Sequence, residues 1–96
     1  MPGPLGQRGT LQAGRWTKVL WGWGWYSVNY SVTVSVRGCE FRAYAPPLPV
    51  PSSSGPLSPT GSTRIEHAVR GYGDVWFYSP VNATYTLTPV SRDSDF

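Results

Sequence analysis

Trp16-Thr17-Lys18-Val19-Leu20-Trp21-Gly22-Trp23-Gly24-Trp25-Tyr26-Ser27-Val28-Asn29-Tyr30-Ser31-Val32-Thr33-Val34-Ser35-Val36 is the stretch on which the reading of this chain turns. From Tyr26 onward the even positions Tyr26, Val28, Tyr30, Val32, Val34 and Val36 are apolar, and the odd positions Ser27, Asn29, Ser31, Thr33, Ser35 and Arg37 are polar. A period of two with β-branched and aromatic residues on one side is the pattern of a long antiparallel strand with one buried face. A helix would smear the six apolar side chains around its cylinder and leave no stripe to bury.

Ahead of Tyr26 the aromatic residues Trp21, Trp23 and Trp25 occupy odd positions, so the apolar parity changes where the two halves meet. Gly22 and Gly24 supply the backbone freedom for a bulge, bend or hairpin, which predicts a first strand over 15–21 and a break over 22–25. Two readings of the tryptophans stand open. Core packing is the ordinary fate of such residues; the alternative is an exposed platform that meets a ligand or a partner protein.

Outward from this stretch, composition sets limits. Ninety-six residues make one domain. Only 14% of them are charged, against about 25% in ordinary soluble domains, so something else covers the surface. Nineteen serines and threonines do part of that. The chain also carries five Trp, six Tyr and seven Arg against one Lys and two Glu, the enrichment found in interfaces between proteins. A coding bias toward Arg would explain the arginines but not the tryptophans. The formal charge of +3 is spread over Arg8, Arg15, Lys18, Arg37, Arg42, Arg64, Arg70 and Arg92 with no basic run, which disfavours nucleic acid as a partner. The residues expected to bind a partner are Trp16, Trp21, Trp23, Trp25, Trp76 and Tyr78, with Arg8 and Arg15.

Along the chain, 1–14 holds two prolines and four glycines and reads as an extended arm that orders on a neighbouring subunit. The domain proper spans 15–90, and 91–96 is a polar tail. Gly38 resets the alternation into a strand with Cys39, Phe41, Ala43 and Ala45 on its apolar side and Glu40 and Arg42 opposite, where those two can pair. In 46–62 six of the 17 residues are prolines without an amide hydrogen, so sheet and helix both stop and a Pro/Ser/Gly-rich loop follows. Neither the arm nor this loop is expected to be stabilised by the domain's own sheet; both are expected to lie on other subunits. A strand over 63–70 then closes at the turn Gly71-Tyr72-Gly73-Asp74, a short strand over 75–78 is covered on both faces, and a last strand over 83–88 stops at Pro89.

The parts of a catalytic site are missing. His67, the sole histidine, falls on the apolar face of its strand and reads as a packed core residue; with Cys39, a small buried hydrophobe, it makes no ordinary zinc site. One cysteine forms no internal disulfide. The acids show no calcium-loop spacing, and Gly22-Trp23-Gly24 lacks the third glycine and the helix of a phosphate-binding turn. No cofactor is implied and the chain reads as a non-enzyme. Asn29-Tyr30-Ser31 and Asn82-Ala83-Thr84 match the glycosylation pattern, but no signal peptide precedes them and no apolar run would span a membrane, so they read as chance matches.

Six or seven short strands without a helix predict an all-β fold, a small antiparallel β-sandwich or jelly-roll-like barrel with an extended N-terminal arm and a Pro-rich loop. The strand entry Thr10-Leu11-Gln12-Ala13-Gly14-Arg15-Trp16-Thr17 and the closing Ala83-Thr84-Tyr85-Thr86-Leu87-Thr88-Pro89-Val90 resemble the β-sandwich structural proteins of tailed-phage virions. That resemblance implies a head-decoration, fibre or tail-accessory protein in the virion, built from homo-oligomer or capsid and tail contacts, with no catalytic residues. Outside a virus the expected location is the cytoplasm. A carbohydrate-binding β-sandwich, stacking Trp21, Trp23 and Trp25, or Trp76 and Tyr78, on sugar rings, is the alternative from another class.

Overall fold

The computed structural model describes residues 7–45 and 50–93. They form six strands: β1 (Gln7–Leu11), β2 (Arg15–Val34), β3 (Glu40–Tyr44), β4 (Ser53–Pro56), β5 (Thr63–Ser79) and β6 (Ala83–Asp93). All pairs are antiparallel, in one sheet of order β1-β6-β2-β5-β3-β4. The fold is therefore all-β, as the alternation predicts, but two of its strands are much longer than expected.

β2 and β5 pair along nearly their whole length, from Arg15 opposite Ser79 to Val32 opposite Thr63. β6 adds only to the second half of β2, from residue 27 on, and β3 only to the last part of β5, residues 74–78. The two long strands thus pass from one layer, with β6 and β1, into a second layer, with β3 and β4. The layers fold onto each other across a shared core, where the Phe77 ring meets the Tyr85 ring edge-on at 5.4 Å. The thin dimension of 19 Å matches two sheets packed about 10 Å apart with their outer side chains. Backbone bonds from Val34 to Ser58 and from Leu57 to Cys39 tie the far end.

Four glycines make the fold-over possible. Gly22 lies opposite Gly73 and Gly24 opposite Gly71 at the corner. Gly71 has a φ of 84°, the left-handed region in which a side chain is strained. At Gly73 a Cβ would collide with the carbonyl oxygen of Ala68, five residues back in the same strand. The predicted turn at 71–74 is thus a sharp bend within a continuous β5, and the predicted break over 22–25 is paired strand. Both expectations failed because glycine-rich turn chemistry and a glycine-lined corner look alike in sequence.

The parity reset also lies elsewhere. The β2–β5 register shifts between Lys18 and Leu20, so Val19 is the extra residue of a bulge and both Val19 and Leu20 are buried. From Leu20 to Val34 the even positions keep one inner face without interruption, and Gly22 and Gly24 are simply its smallest members. Trp21, Trp23 and Trp25 therefore face out, and the core-packing reading of them is corrected.

Three further expectations change. Residues 7–11 of the arm pair with β6, and 53–56 of the proline-rich segment pair with β3, so the domain's own sheet does hold part of both. The remaining portions, 1–6 and 46–49, lie outside the described residues, as do 94–96 of the tail. Pro89 does not end the pairing: a second bulge between Asn29 and Tyr30 leaves Val90 unpaired and β6 continues to Asp93, a proline beside a bulge removing no ladder bond.

Candidate aromatic docking face

Residues directly opposite in an antiparallel pair share a face, so the register builds the site. Phe77 and Val75 are fully buried and point in, which turns Trp76, Tyr78 and Asp74 out. Across from them on β2 stand Lys18, Trp16 and Trp21; beyond the corner, Trp23 stands opposite Tyr72 and Trp25 opposite Arg70. β3 adds Glu40 beside Tyr78, Arg42 beside Trp76 and Tyr44 beside Asp74. All five tryptophans and three tyrosines of the chain thus occupy one outer face. The predicted short strand with both faces covered is corrected accordingly, since its outer side carries the partly exposed Trp76 and Tyr78.

The corner decides how far the rings project. Where backbones crowd on the inner side, the outer side chains splay apart, and Trp21, Trp23 and Trp25 are 60, 76 and 64% exposed. The rings also contact one another, Trp16 and Tyr78 at 5.4 Å on the flatter part and Trp23 and Tyr72 at 4.6 Å at the corner itself. Cations sit on them. The Lys18 ammonium lies 5.7, 5.9 and 5.8 Å from the Trp21, Tyr72 and Trp76 ring centres and donates to the Tyr72 hydroxyl at 3.2 Å. The Arg42 guanidinium stacks 4.3 Å from the Trp16 ring centre, so its expected pairing with Glu40 gives way to an aromatic contact. Such contacts contribute about 0.5–2 kcal/mol each and hold rings and cations in a fixed array. Asp74 stands opposite Trp21, and its Oδ1 is buried with no hydrogen-bond partner among the described residues.

Beneath the face, His67 secures the corner. Its Nε2 lies 3.0 Å from the Gly73 carbonyl oxygen, which can only accept, so Nε2 carries the proton. The Tyr26 ring meets the imidazole edge-on at 6.2 Å. Burial pushes the imidazole below its ordinary value of 6.5, and the Gly73 bond and the Asp74 charge oppose that shift. His67 is a core residue, as its strand position predicts, and so is Cys39.

Of the residues expected to bind a partner, Trp16, Trp21, Trp23, Trp25, Trp76 and Tyr78 come together. Arg8 does not join them, because β1 is the opposite edge of the sheet; it lies beside Thr86. Arg15 starts β2 opposite the buried Ser79 and donates to Gln12 Oε1 at 2.9 Å, away from the rings. Sequence reasoning missed Lys18, Arg42, Tyr44, Tyr72 and Asp74. Lys18 shares Trp16's parity and was legible; the others join only through pairings across 30 to 60 residues of chain. Among the described residues no three His, Cys, Asp or Glu side chains gather as a metal site would require. The segments 10–17 and 83–90 meet at their ends, Thr10 opposite Thr84 and Leu11 opposite Ala83. No protein-family model, curated protein or solved structure matches the chain.

Proposed function

We propose that this chain is a non-enzymatic structural subunit that docks into a larger assembly through the aromatic face of β2, β5 and β3. The virion head-decoration, fibre and tail-accessory proteins are the class its two resembling segments suggest. One observation carries the docking reading: all five tryptophans lie on one outer surface, with cations seated among them and three indoles mostly in water. Trp, Tyr and Arg supply most of the binding energy where proteins meet, and a monomer gains nothing from exposing them together. Sedimentation velocity on the natively purified chain tests it, wild type against Trp21→Ser/Trp23→Ser. The expected result is wild type in species well above 10.6 kDa and the variant, equally folded by circular dichroism, released from them. A wild type that sediments as a monomer and takes up no partner overturns the proposal.

The three mostly exposed indoles favour one second reading, a carbohydrate module in which Trp21, Trp23 and Trp25 stack on sugar rings. Saturable quenching or a blue shift of tryptophan emission with one member of a glycan panel, lost in Trp23→Ser, would favour it over docking.

A further inference from the structure

We propose, resting on the docking reading, that the occupant of the aromatic face is a second copy of this chain, the two faces packed about a two-fold axis. The first argument is area. A tryptophan side chain offers up to about 250 Å², so at their exposures Trp21, Trp23 and Trp25 leave roughly 500 Å² of indole in water. The partly exposed Trp16, Trp76, Tyr44, Tyr72 and Tyr78 extend this toward the ~800 Å² that each partner contributes to a standard interface, past the ~300–600 Å² of the largest patch on a typical monomer.

The second argument is charge. The face carries both signs, interspersed: Lys18, Arg42 and Arg70 with Glu40 and Asp74. A surface made for a polyanion would be of one sign, whereas a face that meets itself must supply both halves of every pair, since the same patch is used twice in an isologous contact.

Sedimentation equilibrium of the recombinant full chain alone tests this, from about 1 to 200 μM, where an interface of standard size and ordinary quality titrates. Wild type is expected to dimerise reversibly, and Trp21→Ser/Trp23→Ser to raise the dissociation constant by at least about 100-fold, two central aromatic anchors being lost. Charge exchange gives a second measurement that does not depend on the tryptophans. Arg42→Glu makes the face acidic and Glu40→Lys makes it basic; each alone is expected to weaken self-association, and an equimolar mixture to restore it. A wild type monomeric across the range overturns the self-pairing; if that monomer still enters larger species in native isolates and Trp21→Ser/Trp23→Ser does not, the docking face survives with a different occupant. A dimer unmoved by the tryptophan pair, or a charge-variant mixture no stronger than its parts, also overturns the self-pairing.

Discussion

Replacing Gly73 by alanine isolates the corner that creates the aromatic face. A Cβ at Gly73 would lie inside the contact radius of the Ala68 carbonyl oxygen, 3.1 Å from its carbon and 3.2 Å from the Val69 Cα. Ordinary contacts of this kind begin near 3.4 Å. Every neighbour is backbone, so no side chain can swing away, and the strand itself must open. Opening separates Ala68 from Gly73 and with it the His67–Gly73 hydrogen bond. Overpacking a rigid site costs about 1–3 kcal/mol, and losing a hydrogen bond to a buried group adds about 1–3 kcal/mol. The expected loss is therefore about 2–6 kcal/mol, a large part of the ~5–15 kcal/mol that holds a domain of this size. Two controls separate this from a general intolerance of alanine. Gly61 has open space and an ordinary φ, so Gly61→Ala should be neutral or stabilise by up to about 1 kcal/mol. Gly71 has open space but a φ of 84°, so Gly71→Ala should cost about 1–2 kcal/mol. Urea denaturation followed by far-ultraviolet circular dichroism orders the three. A Gly73→Ala midpoint level with Gly61→Ala would refute the reasoning, because the corner would then be able to relax.

Three further outcomes follow from the same geometry. The His67 imidazole is depressed in the folded chain, so below its unfolded value near 6.5 the unfolded state binds more protons: stability is full above that pH and is lost as pH falls through it, by no more than about 1.4 kcal/mol per unit. Denaturation midpoints from pH 7.5 to 5.5 should show this slope in wild type and not in His67→Gln; a flat wild-type profile contradicts it. Cys39 is 1% exposed, its thiol donating to the Val36 carbonyl at 3.6 Å, so a thiol reagent should react only on unfolding, and prompt labelling of the native chain would place the residue wrongly. Trp23 is 76% exposed, so in dilute solution Trp23→Ser should remove a large share of iodide-quenchable emission while changing stability by no more than about 0.5 kcal/mol; a melting shift of many degrees would mean that the ring is packed.

The alternation from Tyr26 to Val36 settled on its own that this is a strand with one buried side, because side-chain direction in a strand depends only on counting by twos. The same local logic placed β3 on Phe41 and Ala43, buried His67 and Cys39, and ruled out helices. It failed at Val19. One extra residue in a bulge exchanges inside and outside for everything before it, and nothing in Lys18-Val19-Leu20 marks which residue is extra; the partner strand decides, through Trp76 opposite Lys18 and Val75 opposite Leu20. With the reset misplaced at Tyr26, the tryptophans could be read as core or as surface. The glycines misled for a related reason. Gly71 and Gly73 carry the signature of a turn, and only the crowding of Ala68 against Gly73, together with the opposed Gly22 and Gly24, makes them part of a bent, continuous strand. The aromatic face lay furthest from view. Sequence supplied its parts, five tryptophans, a lysine and scattered arginines, but Arg42 reaches Trp16 and Lys18 reaches Tyr72 across pairings dozens of residues apart, and which outward side chains become neighbours is fixed by strand order and register, properties of the folded sheet that no single stretch of chain contains.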